Sequence, residues 1–174
     1  MEDYENLANE WVARLEGNAG TWMNDQTADR LSAGLMDPRG RDMMALALLD
    51  PTLDAHTLAM RAEDDAPLPA DPDAAANMPA LCASCPPRPW TARLTAARAT
   101  LAALKATRPA CAADATNLAI LVFWLAGDKK GLDAMLARPM PDTVISVTVR
   151  FARDHDMWPA GVAVPRTYRV PELA

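Results

Sequence analysis

The sequence has few of the residues from which enzyme and cofactor sites are usually built. Its 174 residues include two histidines, three cysteines and seven glycines. The glycines are scattered and form no nucleotide-binding loop, and neither G-x-S-x-G, H-E-x-x-H nor a calcium-binding loop occurs. The sequence therefore favours a protein that is not an enzyme. A helical bundle can nevertheless hold an active site without any linear motif, so an enzyme stays among the alternatives.

Long apolar runs are also missing. No stretch of about 18 apolar residues occurs, so the sequence predicts no membrane-spanning segment. The N-terminal stretch MEDYENLANEW is acidic and polar, which is unlike a secretory signal. Three cysteines without the spacing of a disulfide framework are typical of a reducing compartment. These features predict a cytoplasmic protein that does not associate with membranes.

Basic residues are few and unevenly distributed. The net charge is −6, but residues 1–85 contain 5 Lys or Arg against 16 Asp or Glu, and residues 86–174 contain 12 against 7. The basic residues are spread singly and no aromatic residues interleave with them, so nucleic-acid binding is not expected. Opposite charge on the two halves could attract them to each other, within one chain or between copies. Charges on ordinary solvated faces are the simpler interpretation.

Helical periodicity is the main pattern that the sequence does contain. A first amphipathic helix is predicted over residues 3–16, with Tyr4, Leu7 and Trp11 on its apolar face. A second is predicted over residues 27–37, with Asn24, Asp25 or Thr27 as its cap. Proline at a first helical position then predicts a third helix from Pro38 and a fourth from Asp50-Pro51 to about Glu63.

The second half of the chain follows a break rich in acidic residues and proline. EDDAPLPADPD cannot form a packed element, and a short helix is predicted over residues 74–84. Trp90, Leu94, Ala97, Leu101 and Leu104 then recur at helical spacing, and Pro109 ends that helix or opens the next turn. The run from Leu118 to Ala126 is apolar almost all round and predicts a central buried helix, followed by Gly127 as terminator and Asp128 as the next cap.

The stretch DTVISVTVRFARDHD is ambiguous. Ile145, Val147 and Val149 alternate with polar residues as in a strand, whereas Val144, Thr148 and Phe151 share one helical face. No other segment offers a partner strand, and a lone strand leaves its backbone groups unpaired. We therefore predict a helix.

These elements predict an all-α fold. About eight helices would form an array with tetratricopeptide-like helical hairpins, and a proline-rich extended tail would follow. The predicted organisation is an N-terminal helical subdomain over residues 1–63, an acidic connector over residues 64–89, and a C-terminal helical subdomain with the tail over residues 90–174.

Cys82 and Cys85 are separated by two residues, which is the spacing of a redox pair or of half a zinc site. A C-x-x-C pair indicates zinc when a second pair of ligands accompanies it, but Cys111, His56 and His155 are isolated. Redox activity requires a thiolate, and the two prolines that follow Cys85 place the pair at a helix C-terminus, where the dipole disfavours one. Peroxide-defence proteins related to alkylhydroperoxidase D are similar in length and also use a C-x-x-C pair. Their pair has a histidine just before the first cysteine and another a few residues after the second, and this chain lacks both.

The remaining candidates have structural interpretations. His155 between Asp154 and Asp156 could bind a metal, but a polar helix end is the simpler interpretation. Met43, Met44, Phe123 and Trp124 are interpreted as core residues rather than as a cofactor site. The sequence therefore predicts no catalytic, cofactor-binding or metal-binding residue.

Two stretches resemble the C-terminal part of an actinobacterial family, domain of unknown function 4192. They are TADRLSAGLMDPRGRDMMAL and NLAILVFWLAGDKKGLDAMLAR. The family has no assigned activity, so the resemblance implies a helical fold more than a function. The matching residues are Leu31, Leu35, Asp37, Arg39, Arg41, Asp42, Gly127, Asp128 and Leu132.

These observations predict a non-enzymatic binding or scaffold module. Its partner would be another protein or a second copy of the chain, contacted through a groove between paired helices. Arg39, Arg41 and Asp42 are expected to form a structural network of salt bridges and caps. The alternative is a small redox or metal-binding protein that uses Cys82 and Cys85.

Replacing Cys82 and Cys85 with serine tests this alternative. If both are small buried residues, the double variant should lose about 1–2 kcal/mol of unfolding free energy in urea titrations, because each serine buries a hydroxyl. Its metal content should match that of the unmodified protein and of the control Cys111→Ser. Stoichiometric zinc that disappears in the double variant, or peroxide-dependent oxidation of Cys82 at low dose, would contradict the structural interpretation.

Overall fold

A computed structural model describes residues 2–17, 23–64, 91–139 and 142–159 of the chain. These ranges contain helices and no strand, which confirms the predicted all-α fold. The predicted helix over residues 74–84, nearly all of the connector and the C-terminal tail lie outside them. The helices are α1 (Glu2–Leu15), α2 (Asp25–Met36), α3 (Pro38–Leu49), α4 (Ala55–Glu63), α5 (Thr91–Thr107), α6 (Ala112–Leu125), α7 (Lys129–Leu136) and α8 (Val144–Asp154), with a 3₁₀ turn at Pro109–Cys111 before α6.

Side-chain caps start three of these helices where the sequence predicts them. Asn24 is the residue that caps α2, and its Oδ1 accepts a hydrogen bond from the Thr27 amide at 2.8 Å. Asp37 caps α3 with Pro38 in the first turn, and Asp128 caps α7. Gly127 has a φ of +67°, a left-handed conformation that glycine adopts without strain and that ends α6.

The predicted start of the fourth helix is wrong. Asp50 is the residue that ends α3, since its backbone amide still donates to the Leu46 carbonyl at 2.8 Å. Its carboxylate accepts hydrogen bonds from the amide and hydroxyl of Thr52, which forms a turn. Asp54 then caps α4 through the Thr57 amide at 2.7 Å. Two aspartates four residues apart both carry a cap signal, and only the second opens a helix.

The stretch that was ambiguous between strand and helix forms α8, as predicted. Thr143 and Ser146 form a reciprocal capping box that fixes its start. Ile145, Val149 and Ala152 are buried against α6, whereas Val144 and Val147 are exposed. The buried face is therefore shifted by one residue from the predicted face of Val144, Thr148 and Phe151, which is a rotation of about 100° around the helix axis.

Helix α6 lies at the centre of the fold. Its residues are buried around almost the whole circumference, including Leu118, Ile120, Val122 and Trp124, which confirms the predicted central helix. It contacts α2, α3, α5, α7 and α8. Buried side chains from both predicted subdomains belong to one hydrophobic cluster around it. The division into two subdomains and a connector stays a prediction.

Two glycines allow α1, α2 and α3 to approach closely. A Cβ atom at Gly40 would lie 2.5 Å from the backbone oxygen of Gly34, where α2 and α3 meet. A Cβ atom at Gly34 would meet the side chain of Leu7 on α1. The first obstacle is backbone and the second is the end of a side chain, which moves more readily.

Gly40→Ala should therefore destabilise the protein more than Gly34→Ala. We expect Gly40→Ala to cost about 2–3 kcal/mol, because α2 and α3 must separate, and Gly34→Ala about 1 kcal/mol, because Leu7 can change rotamer. Equilibrium unfolding in urea measures both variants. A Gly40→Ala variant as stable as the unmodified protein would show that α2 and α3 are not this close.

Candidate functional site

An open groove of about 590 Å³ lies between α1 and α2. It is the best candidate for a functional site among the residues that the structure describes, because it combines an apolar floor with charged walls. Its lining residues are Asp3, Tyr4 and Leu7 from α1 and Asp29, Arg30, Ala33, Gly34 and Asp37 from α2 and its end.

The floor of the groove follows from helical spacing on both helices. Leu7 is buried and lies one turn after Tyr4 on α1. Gly34 is buried beneath Leu7, and exposed Ala33 precedes it on α2. Small residues on α2 leave the floor open, because no long side chain projects from these two positions.

A hydrogen bond ties α1 to the end of α2. The Tyr4 hydroxyl donates to Oδ2 of Asp37 at 2.7 Å, and the same oxygen accepts from the Gly40 amide at 3.1 Å. The bond to Asp37, followed by burial, raises the pKa of Tyr4 above its usual value of 10.0. One carboxylate therefore caps α3 and holds the start of α1 in place.

Ion pairs hold the charged residues on the outer wall of the groove in place. Arg30 pairs with Glu10 across α1 and α2. Asp29 accepts from Nε of Arg108 at 2.7 Å, and Arg108 also pairs with Asp25 at 2.9 Å. These bonds, first to Asp25 and then to Asp29, raise the pKa of Arg108. Helix α2 is thus attached both to α1 and to the junction between α5 and α6.

The residues predicted to form a structural network lie beside the groove rather than in its lining. Arg41 on α3 pairs with Asp114 on α6 at 2.7 Å, and both side chains are largely buried. Burial raises the pKa of Asp42 above its usual 3.8. Arg39 is exposed. The charge of Arg41 lowers the pKa of Asp42 by less than burial raises it, and the wider network of the three residues stays a prediction.

The other sequence candidates have the following positions. Cys82 and Cys85 lie outside the described residues, and Cys111 is buried with its thiol 3.2 Å from the Arg108 carbonyl oxygen. His155 ends α8, with Nδ1 2.9 Å from the Phe151 carbonyl oxygen and its ring stacked on Phe151. In the ranges described, no group of three or more His, Cys, Asp or Glu residues is placed to hold a metal ion.

The aromatic and methionine candidates are core residues, as interpreted from the sequence. Met43, Met44 and Trp124 are buried, and the Trp124 indole donates to the Met157 carbonyl at 2.8 Å. Phe123 is partly buried, and the Arg98 guanidinium lies 4.3 Å from its ring centroid. None of these four side chains belongs to the groove lining.

Sequence reasoning did not identify the groove. Tyr4 and Leu7 were placed on the apolar face of α1, but nothing in the sequence pairs that face with Asp29, Arg30 and Ala33. The one available signal was Gly34, a glycine inside a helical pattern, which often marks close contact with another element.

Comparisons with known proteins give no further guidance, since no family model, curated protein or solved structure matches the chain. In the part of the chain that the structure describes, no helix has both the length and the apolar character needed to cross a membrane.

Proposed function

We propose that the protein is a non-enzymatic helical binding module that contacts a protein partner through the groove between α1 and α2. The observation that carries the proposal is the groove itself, an open depression with an apolar floor and walls held by cross-helix bonds. Such a surface suits a helix or extended segment of a partner, because binding does not require the walls to be rebuilt.

The chemistry of the lining supports binding rather than catalysis. Tyr4 and Asp37 hydrogen-bond to each other, and Arg30 and Asp29 are engaged in ion pairs. Side chains committed to such bonds position the two helices and present a fixed surface. The Tyr4 hydroxyl is protonated at neutral pH and donates to Asp37, and this bond raises its pKa further.

Two further parts of the proposal rest on the sequence. We infer a cytoplasmic location from the cysteine usage and a relation to the actinobacterial family of unknown function 4192 from its two matching stretches. Caps by Asp37 and Asp128 and burial of Leu31, Leu35 and Leu132 support a structural role for the matching residues. Redox or metal chemistry at Cys82 and Cys85 stays the alternative prediction from sequence, and self-association stays an alternative to a different partner.

A photo-crosslinking residue at position 33 tests the proposed function. Ala33 is exposed on the groove floor, whereas the matched control position, Ala99, is exposed in the middle of α5 and does not line the groove. Irradiation in native lysate should give a protein adduct from position 33 and none from position 99. The adduct partner, once purified, should bind Ala33→Trp about tenfold more weakly than Ala99→Trp, because tryptophan fills the groove.

Circular dichroism and urea unfolding establish that both tryptophan variants are folded. Equal adducts from both positions, or equal affinity of the two tryptophan variants, would contradict the groove as the binding surface. A partner whose mass is that of the chain itself would assign the groove to self-association.

A further inference from the structure

We propose that the groove between α1 and α2 selects a basic amphipathic helix of its partner protein. This inference rests on the proposed function and specifies the chemistry of the partner. Two observations support the inference. One is the excess of negative charge on the groove walls, and the other is the apolar strip on the exposed face of α2.

The negative charge remains after the ion pairs are counted. Arg30 is neutralised by Glu10. Arg108 alone faces both Asp25 and Asp29, so one positive charge serves two carboxylates. Asp37 accepts its hydrogen bonds from a neutral hydroxyl and an amide.

Asp3 adds a further negative charge on the exposed first turn of α1. Arg39 offsets part of this charge, since it acts on Tyr4 beside Asp37. The surrounding sequence is still acidic, because residues 2–42 contain nine Asp or Glu and four Arg. A segment rich in lysine or arginine complements this surface, whereas an acidic segment or a nucleic acid is repelled.

The apolar strip specifies an amphipathic segment. Ala33 and Met36 lie one turn apart on the exposed face of α2, and Met36 as a residue is 46% exposed. Leu7 and Gly34 continue the apolar surface into the floor. Methionine adapts to partner side chains of different shape, which suits a binding surface.

The length of the surface indicates the length of the segment. The groove lining on α2 runs from Asp29 to Asp37, which is about 12 Å along the helix. A partner helix lying along it would contact the groove over about two turns, with apolar residues toward Ala33 and Met36 and basic residues toward Asp3, Asp29 and Asp37.

Two synthetic peptides provide the probes. One is an amphipathic helix of about 14 residues made of leucine and lysine, and the other has glutamate in place of lysine. Titration into the ¹⁵N-labelled full chain should shift amide resonances of α1 and α2 with the lysine peptide. We expect the lysine peptide to bind about tenfold more tightly than the glutamate peptide. Its affinity should fall about tenfold when the salt concentration rises from about 0.05 M to about 0.5 M.

Variants with altered charge show whether the groove is responsible for the preference for the lysine peptide. Asp3→Lys should lower the affinity for the lysine peptide by about threefold to tenfold, because it reverses the charge at position 3. Asp3→Asn should lower that affinity by less, because it only removes the charge. Asp64→Lys makes the same net-charge change at an exposed residue outside the groove and should leave affinity within about twofold. Ala33→Trp should abolish the resonance shifts of α1 and α2.

The results separate this inference from the proposed function. Equal binding of the two peptides, shifts outside α1 and α2, or no binding of the lysine peptide would overturn the inference. If position 33 still crosslinks to a protein in lysate, the proposed function survives that result. If crosslinking also fails, both proposals are wrong. Resonance shifts on dilution of the chain alone would assign the groove to a second copy.

Discussion

The burial of α6 is the constraint on which the rest of the structure depends. Leu118, Ile120 and Val122 are fully buried on different sides of this helix, so it must be covered from several directions at once. Each such side chain contributes about 1.5–3 kcal/mol when it leaves water. Helices α3, α5, α7 and α8 supply that cover, and α1 and α2 extend the same core outward through Trp11 and Leu31.

Charged contacts orient the outer helices, but they contribute little to the free energy of unfolding. Basic residues of the second half meet acidic residues of the first where Arg108 pairs with Asp25 and Asp29 and where Arg93 approaches Glu16 at 3.8 Å. Exposed pairs of this kind contribute about 0–1 kcal/mol each. They nevertheless fix α2 relative to α5 and α6. The uneven charge of the sequence thus has an observed role within one chain, where Arg108 of the second half serves two carboxylates of the first.

Local signals in the sequence predict the helices well and the groove poorly. Caps such as Asp37 and Asp128 act within four residues, so their effect is visible in sequence. The start of α4 was misplaced because Asp50 and Asp54 carry the same signal and only backbone bonding distinguishes them. The groove depends on Tyr4 reaching Asp37, 33 residues away, and on close helix contact at Gly34. Such contacts depend on tertiary packing, of which Gly34 was the one local sign.

We propose that the groove is a preformed surface because α2 is anchored to the core around α6. Native-state hydrogen exchange as a function of denaturant measures this anchoring. Amides of Leu31 and Leu35 in α2 should exchange with the same free energy and denaturant dependence as those of Leu118 and Val122 in α6. Exchange of the α2 amides through a local opening, several kcal/mol below the global unfolding free energy, would contradict it.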